Sequence, residues 1–236
     1  YYMHEWDGLT PVEEKMAAAA ALLRQGQIGY AGCSNYSGWQ VMKSLAAAPS
    51  HASRFVTQQI HYTLEAREAE YELLPLSVDQ GLGLLIWSPL MAGLLSGKHR
   101  RGSAPAKGSR QEAGWDEPPI RDISRLWNIV DTLVEIGEAH EVEAAQVALA
   151  WLLTRPAVAS LVVGGRRVEQ FESNFRAVDL VLSDNELTLL NDVSRLPLVY
   201  PYWHQHNFAR SRFSEADQAL HADYPDRHFG GEDLLI

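Results

Sequence analysis

The chain has 236 residues, 46% of them hydrophobic and 21% charged. That suits one large folded domain or two small ones and excludes a disordered chain. The formal net charge of -10 argues against a nucleic-acid surface, and no apolar run reaches the roughly 18 residues that suggest a membrane span.

Taken in order, the chain opens on Tyr1-Tyr2-Met3-His4, read as the end of a strand. A histidine there, before the loop Trp6-Asp7-Gly8, is how a barrel displays an active-site group. The start lacks Met, so the sequence reads as part of a larger enzyme. Residues 12–25 form an expected helix, capped by Thr10 with Pro11 at its first position and ended by Gly26. A strand is expected over 28–33, a helix over 37–48, a strand over 55–59, a helix over 67–80 ended by Gly81, and an apolar strand over 82–87. Residues 93–119, rich in Gly, Ser, Ala, Lys and Arg, read as a long loop of the kind that is often functional. Helices follow over 122–140 and 143–154, then a strand over 159–163 and helices over 168–176 and 183–193. The last of these starts with Ser183 and Glu186 in a capping box. The tail, residues 197–236, reads as aromatic, His-rich and irregular.

Strands alternating with helices over short connections mean a parallel sheet covered by helices. No Gly-x-Gly-x-x-Gly follows any strand, so the dinucleotide-binding doubly wound fold is disfavoured. A (β/α)8 TIM barrel represented by its C-terminal part, about strands four to eight, fits better. In such a barrel the strand ends form the site. Here they carry His4, Ser34-Asn35, Gln59, Trp87-Ser88-Pro89-Leu90 and Gly164-Gly165-Arg166-Arg167.

These segments resemble the aldo-keto reductase family, NADPH-dependent reductases of carbonyl compounds. The resemblance rests on Tyr2-Met3-His4, Gly32-Cys33-Ser34-Asn35-Tyr36, Gln59 with Tyr62, and Trp87-Ser88-Pro89-Leu90 with Gly93-Leu94-Leu95-Ser96-Gly97-Lys98. It also rests on Val163-Gly164-Gly165-Arg166 with Gln170 and Asn174. The Trp-Ser-Pro-Leu form and the long loop are closer to the bacterial and potassium-channel-β-like branch.

The resemblance implies roles for these positions. His4 would hydrogen-bond the substrate carbonyl. Ser34, Asn35 and Gln59 would hold the nicotinamide carboxamide, Ser34 and Asn35 also serving as possible helix caps. Gln58 is the rival of Gln59, since alternation turns only one of them inward. Trp87 would stack on the nicotinamide ring, with Ser88, Pro89 and Leu90 near the pyrophosphate. Gly93, Ser96, Lys98 and Arg110, in or next to the long loop, would close over the cofactor as a clasp. Gly164, Gly165 and Arg166 would meet the adenosine 2′-phosphate, which favours NADPH, and Gln170 and Asn174 would face the adenine. Relatives commonly carry a glutamate where this chain has Ser173, which puts that adenine contact in doubt. Trp6, Tyr202 and Trp203 would line the substrate mouth.

The resemblance also implies a tyrosine, a lysine and an aspartate from earlier strand–helix units, and no tyrosine here matches that context. The expected activity is carbonyl reduction, with the chain alone inactive. The alternative is a non-catalytic NADP(H)-binding or scaffold protein. Glu13-Glu14 and Glu68-Glu70 read as solvated helix faces. His204, His206, His221 and His228 show no metal-ligand spacing, so no metal is expected. The single cysteine, Cys33, excludes an internal disulfide. With no visible signal peptide, it points to the cytoplasm, with a small carbonyl compound as partner and neither nucleic acid nor membrane.

Overall fold

The structure, a computed structural model, describes residues 1–104, 107–114 and 117–225. Its described strands are β1 (Tyr2–Met3), β2 (Gly32–Ser34), β3 (Thr57–His61), β4 (Gly83–Trp87) and β5 (Val158–Val162). They make one parallel sheet in chain order, β1-β2-β3-β4-β5. A parallel neighbour can be reached only by a crossover, and helices supply it. The crossovers are α1 (Val12–Arg24), α2 (Gly38–Ala47), α3 (Ala69–Gln80), and the pair α4 (Ile123–Ala139) and α5 (Ala144–Leu153). After β5 come α6 (Val168–Phe175), α7 (Asp184–Ser194), α8 (Tyr202–Phe208) and α9 (Glu215–His221). This α/β arrangement is consistent with a (β/α)8 barrel.

The two faces of the sheet differ sharply. Cys33, Gln58, Ile60, Leu84 and Ile86 are buried against the helices. The alternate residues Thr57, Gln59, His61, Leu85 and Trp87 are only half-buried on the other face. Register pairs Ser34 with Gln59 and His61 with Trp87, so those four lie on that same open face. Gly32 is required there: a Cβ would stand 2.8 Å from the Thr57 carbonyl oxygen and from the Tyr2 ring.

The main core joins Ile60, Leu84 and Ile86 to Leu126, Ile129 and Leu133 of α4 and Val147 and Trp151 of α5. Helix α5 is apolar on nearly every side and buried along almost its whole length, as such a helix must be. A smaller cluster packs α1 and α2 through Met16, Val41, Tyr36 and Phe55.

Several elements depart from the sequence reading. Pro11, not Thr10, is the N-cap of α1, because the Thr10 hydroxyl donates to the Asp7 carboxylate instead. Strand β2 starts at Gly32, later than expected, and β3 runs two residues beyond the expected end. Phe55 belongs to the aromatic cluster with Tyr36 rather than to the strand. The helix after β2 is capped by Ser37 with Gln40, which relieves Ser34 and Asn35 of that duty. The described part of the tail, to residue 225, is not irregular: it contains α8 and α9, the second started by a Ser214–Asp217 capping box.

Glu70 is likewise no solvated residue. It is 2% exposed and accepts from Arg67 at 2.9 Å and from the Tyr62 hydroxyl. Arg67 and Arg155 both donate to Asp223, at 2.7 and 2.8 Å, and Asn191 donates to the other Asp223 oxygen at 3.0 Å. This buried network joins the residues just after α9 to α3, α5 and α7. Each charge in it has a partner, which is the condition for burying charge at all.

Candidate active site at the strand ends

Strand ends β2, β3 and β4 bring Asn35, His61 and Trp87 together. The Trp87 indole N–H donates to Asn35 Oδ1 at 3.0 Å. Asn35 Nδ2 donates to Glu5 Oε1 at 2.8 Å and to the His4 carbonyl at 3.4 Å. Asn35 thus joins the β1 end to the β4 end through one side chain. It does so from a left-handed backbone conformation, φ 58°. Ser88, Met91 and Ala92 share that region, with φ of 50°, 50° and 53°. Non-glycine residues held there carry strain, and strain of this kind gathers at functional sites.

Beside Trp87 lies His61, ring centroids 4.5 Å apart and planes 34° apart, with His61 Nδ1 3.3 Å from the Trp87 carbonyl oxygen. Burial lowers the His61 pKa below its ordinary value, so the ring is neutral at pH 7. Gln58 turns away from this site: its Nε2 donates to Ser77 Oγ of α3 at 2.8 Å. Gln59 stays on the open face next to Ser34. The Ser34 hydroxyl is buried there and has no partner among the described residues. A buried hydroxyl without a protein partner is suited to a ligand's polar group. The Cys33 thiol faces the helices, and burial pushes it up to about 12, which removes it as a nucleophile. Burial also pushes Tyr36 up to about 12, so its phenol keeps its proton.

The loop after β4 is tied down from two sides. The Ser88 hydroxyl oxygen accepts from the Ala92 N–H at 3.2 Å, and Ser96 donates to the Gly93 carbonyl at 2.6 Å. Gln111 Nε2 donates to the Ala92 carbonyl at 3.2 Å. Farther out, Arg166 Nη2 donates to the Gly108 carbonyl at 2.7 Å, which bridges the long loop to the turn after β5. Arg166 is exposed, as is Lys98, while Pro89 is buried and Leu90 half-buried. Arg110, in the same loop, is also exposed. Gln170 Oε1 accepts the N–H groups of Arg166 and Arg167, at 2.8 and 3.2 Å, and so caps α6. Among the described residues its amide N–H groups and the Asn174 side chain make no hydrogen bond. A Cβ on Gly165 would stand 2.9 Å from the Phe171 ring, whereas Gly164 has open space. Ser173 donates to Glu143 Oε2 at 3.1 Å.

The residues expected at the substrate mouth are dispersed. His4 is exposed at the β1 end. Trp6 packs edge-on to Tyr36 at 5.2 Å and to Trp39 at 5.5 Å, with Lys15 Nζ 4.0 Å from its ring centre. Tyr202 donates to Glu72 Oε1 at 2.6 Å and stacks on Tyr71, rings 5.4 Å apart, so α8 is docked on the first turn of α3. Trp203 is exposed beside Tyr200 and His204. Among the described residues no group of three or more His, Cys, Asp or Glu could hold a metal; His228 lies outside them. No described helix is long and apolar enough to cross a membrane.

Sequence reasoning missed His61. Its signal was available: it lies two residues beyond Gln59 and so on the same face of a strand.

A model of the aldo/keto reductase family matches residues 1–195. The chain is 36% identical over 196 residues to an uncharacterized oxidoreductase, YrpG, of Bacillus subtilis (strain 168), covering 82% of this chain and 57% of that protein. It is 32% identical over 183 residues to a probable voltage-gated potassium channel subunit beta of Arabidopsis thaliana, covering 76% and 56%. Among solved structures, a thermostable aldo-keto reductase, Tm1743, crystallised with the inhibitor epalrestat, superposes with a TM-score of 0.63 at 27% identity. That match covers 82% of this chain and 58% of the other. The chain therefore spans somewhat over half the length of these relatives.

Proposed function

The chain belongs to the aldo/keto reductase family, and from that premise we propose that it carries the NADPH-holding part of a cytoplasmic carbonyl reductase. The observation that carries this reading is the Asn35–Trp87 pair beside the orphaned Ser34 hydroxyl. Ser34 and Gln59 offer a hydroxyl and a primary amide, the donor and acceptor set that a carboxamide needs. Trp87, clamped edge-on by Asn35, offers a flat ring at a fixed angle, which suits stacking on a nicotinamide. Arg166 at the start of α6 supplies a guanidinium beside a helix N-terminus, a suitable partner for the 2′-phosphate that distinguishes NADPH from NADH.

NADPH, when bound, supplies the hydride for an aldehyde or ketone. The residues of this chain bind and orient it, and His4 hydrogen-bonds the substrate carbonyl. The loop segment that Arg166 fastens through Gly108 would help hold the pyrophosphate and exclude water when the cofactor is bound. Of the catalytic set that the resemblance implies, His4 is the member this reading assigns to the chain, and the proton-donating tyrosine is not matched, so cofactor binding is expected to exceed turnover.

A second reading is a non-catalytic NADP(H)-binding subunit, favoured by the likeness to a probable channel subunit beta. Equilibrium binding of NADPH, followed by a panel of simple aldehydes with the bound cofactor, separates the cases. Saturable NADPH binding supports the cofactor site, and its absence sinks both readings. Aldehyde-dependent NADPH oxidation would favour the reductase and place a proton donor within this chain.

A further inference from the structure

His61 and Trp87 are register partners at the ends of β3 and β4 and stand on the same open face of the sheet. Their ring centroids are 4.5 Å apart and their planes differ by 34°. Rings that close and that nearly parallel overlap face to face, since rings lying edge to edge have centroids farther apart. One face of the indole is therefore covered by the imidazole. A hydrogen bond locks the contact. A carbonyl oxygen can only accept, so His61 Nδ1, 3.3 Å from the Trp87 carbonyl, carries the proton. Nε2 is sealed from solvent. The ring thus acts through its face and this one bond, not by meeting a ligand.

The indole is held on a second side, where its N–H edge donates to Asn35 Oδ1 at 3.0 Å. Trp87 nevertheless stays only half-buried. A ring fixed at one edge and one face has lost its rotational freedom before a ligand arrives, which removes an ordering cost from stacking. The imidazole is neutral at pH 7, and the charged groups that act on it, Glu68 and Arg121, pair with each other at 2.9 Å. No net charge therefore stands behind the indole to oppose the positive ring of an oxidised nicotinamide.

We propose that His61 is a positioning residue of the cofactor site: it backs one face of Trp87 and leaves the opposite face as the one on which the nicotinamide stacks. The inference rests on the cofactor site of the reductase reading and assigns that site its face. Plain packing of His61 on Trp87 would cost only stability when the ring is removed. Positioning costs the stack as well.

The 236-residue chain is titrated with NADP+, whose electron-poor ring gives a charge-transfer absorption when it stacks on an indole. Trp87→Phe, which should lose the band, identifies it. His61→Ala should bind NADP+ about twofold to tenfold more weakly and show a weaker band at saturation. His61→Phe, which restores a ring behind the indole, should recover both. In the wild-type complex, NMR should find the nicotinamide protons in contact with the Trp87 ring and not with the His61 ring. Wild-type affinity and band in His61→Ala would overturn the proposal, as would a His61→Phe no better than His61→Ala. Nicotinamide contacts to the His61 ring, or none to Trp87, would overturn it too, and these decide the matter even if His61→Ala does not fold. Absence of NADP+ binding by the wild type would show a different failure, that of the cofactor reading, and the proposal would fall with it.

Discussion

Asn35 Oδ1 accepts the Trp87 indole N–H at 3.0 Å, while the same side chain donates to Glu5 at 2.8 Å. One amide therefore spans from the end of β1 to the end of β4 and sets the angle of the ring proposed to meet the nicotinamide. The backbone conformation of Asn35, φ 58°, makes a separable prediction. Asn35→Ala loses both the clamp and the left-handed tolerance of asparagine, and should cost about 1–2 kcal/mol more in stability than Asn35→Gly. Both variants should lose NADPH affinity equally, because both release Trp87. Urea melts and NADPH titrations of the two, side by side, check this. Unequal cofactor affinity would mean that backbone strain, not the clamp, matters.

Arg166 is expected to discriminate between cofactors. A charge-assisted bond to a phosphate is worth about 1.5–3 kcal/mol, so Arg166→Ala should weaken NADPH binding by roughly tenfold to a hundredfold. NADH binding should be nearly unchanged. Equal weakening of both would assign Arg166 to holding the loop at Gly108 rather than to the 2′-phosphate.

The buried network around Arg67 predicts a large stability effect far from the strand ends. Arg67→Met leaves Glu70 without its 2.9 Å donor and Asp223 with one arginine instead of two. The loss should be about 3–5 kcal/mol, the range for breaking a buried pair from one side. Thermal melts would report it, and a loss below about 1 kcal/mol would show that the network contributes little to holding the tail.

His206 and His221 predict a pH dependence. Their Nδ1 atoms are 3.2 Å apart in a buried contact, and His206 Nε2 faces the Pro225 carbonyl at 3.1 Å. Burial first, then the neighbouring His206, lowers His221 to about 4. A histidine of the unfolded chain titrates near 6.5. Between about 4 and 6.5 the unfolded state therefore binds the extra proton, so stability rises with pH through that window. The stability is fully present above about 6.5 and is lost as pH falls toward 4. The melting temperature should climb across this range, and His221→Phe should flatten the climb. An unaltered slope in that variant would assign the dependence to other groups.

Much of the strand-end geometry was legible in the sequence. Period-two alternation, with the family resemblance choosing between the neighbours, put Gln59 and not Gln58 on the open face, and the structure turns Gln58 to Ser77. Ser183 and Glu186 marked the start of α7 because a capping box is local chemistry. What was illegible depends on partners distant in the chain. Glu70 looks solvated among charged neighbours, since Tyr62, Arg155 and the arrangement around Asp223 meet only in the fold. His61 was overlooked although its place on the face of Gln59, two residues along the strand, was readable; its contact with the Trp87 ring appears only in the fold.

The central claim is that Trp87, held by Asn35, is the platform of a nicotinamide site, and NADPH titration of wild type against Trp87→Ala and Trp87→Phe tests it most directly. Aromatic stacking is worth about 1–3 kcal/mol per base, so Trp87→Ala should bind NADPH roughly fivefold to a hundredfold more weakly. Trp87→Phe should retain most of the affinity. Wild-type affinity in Trp87→Ala, with the fold intact by circular dichroism, would contradict the account.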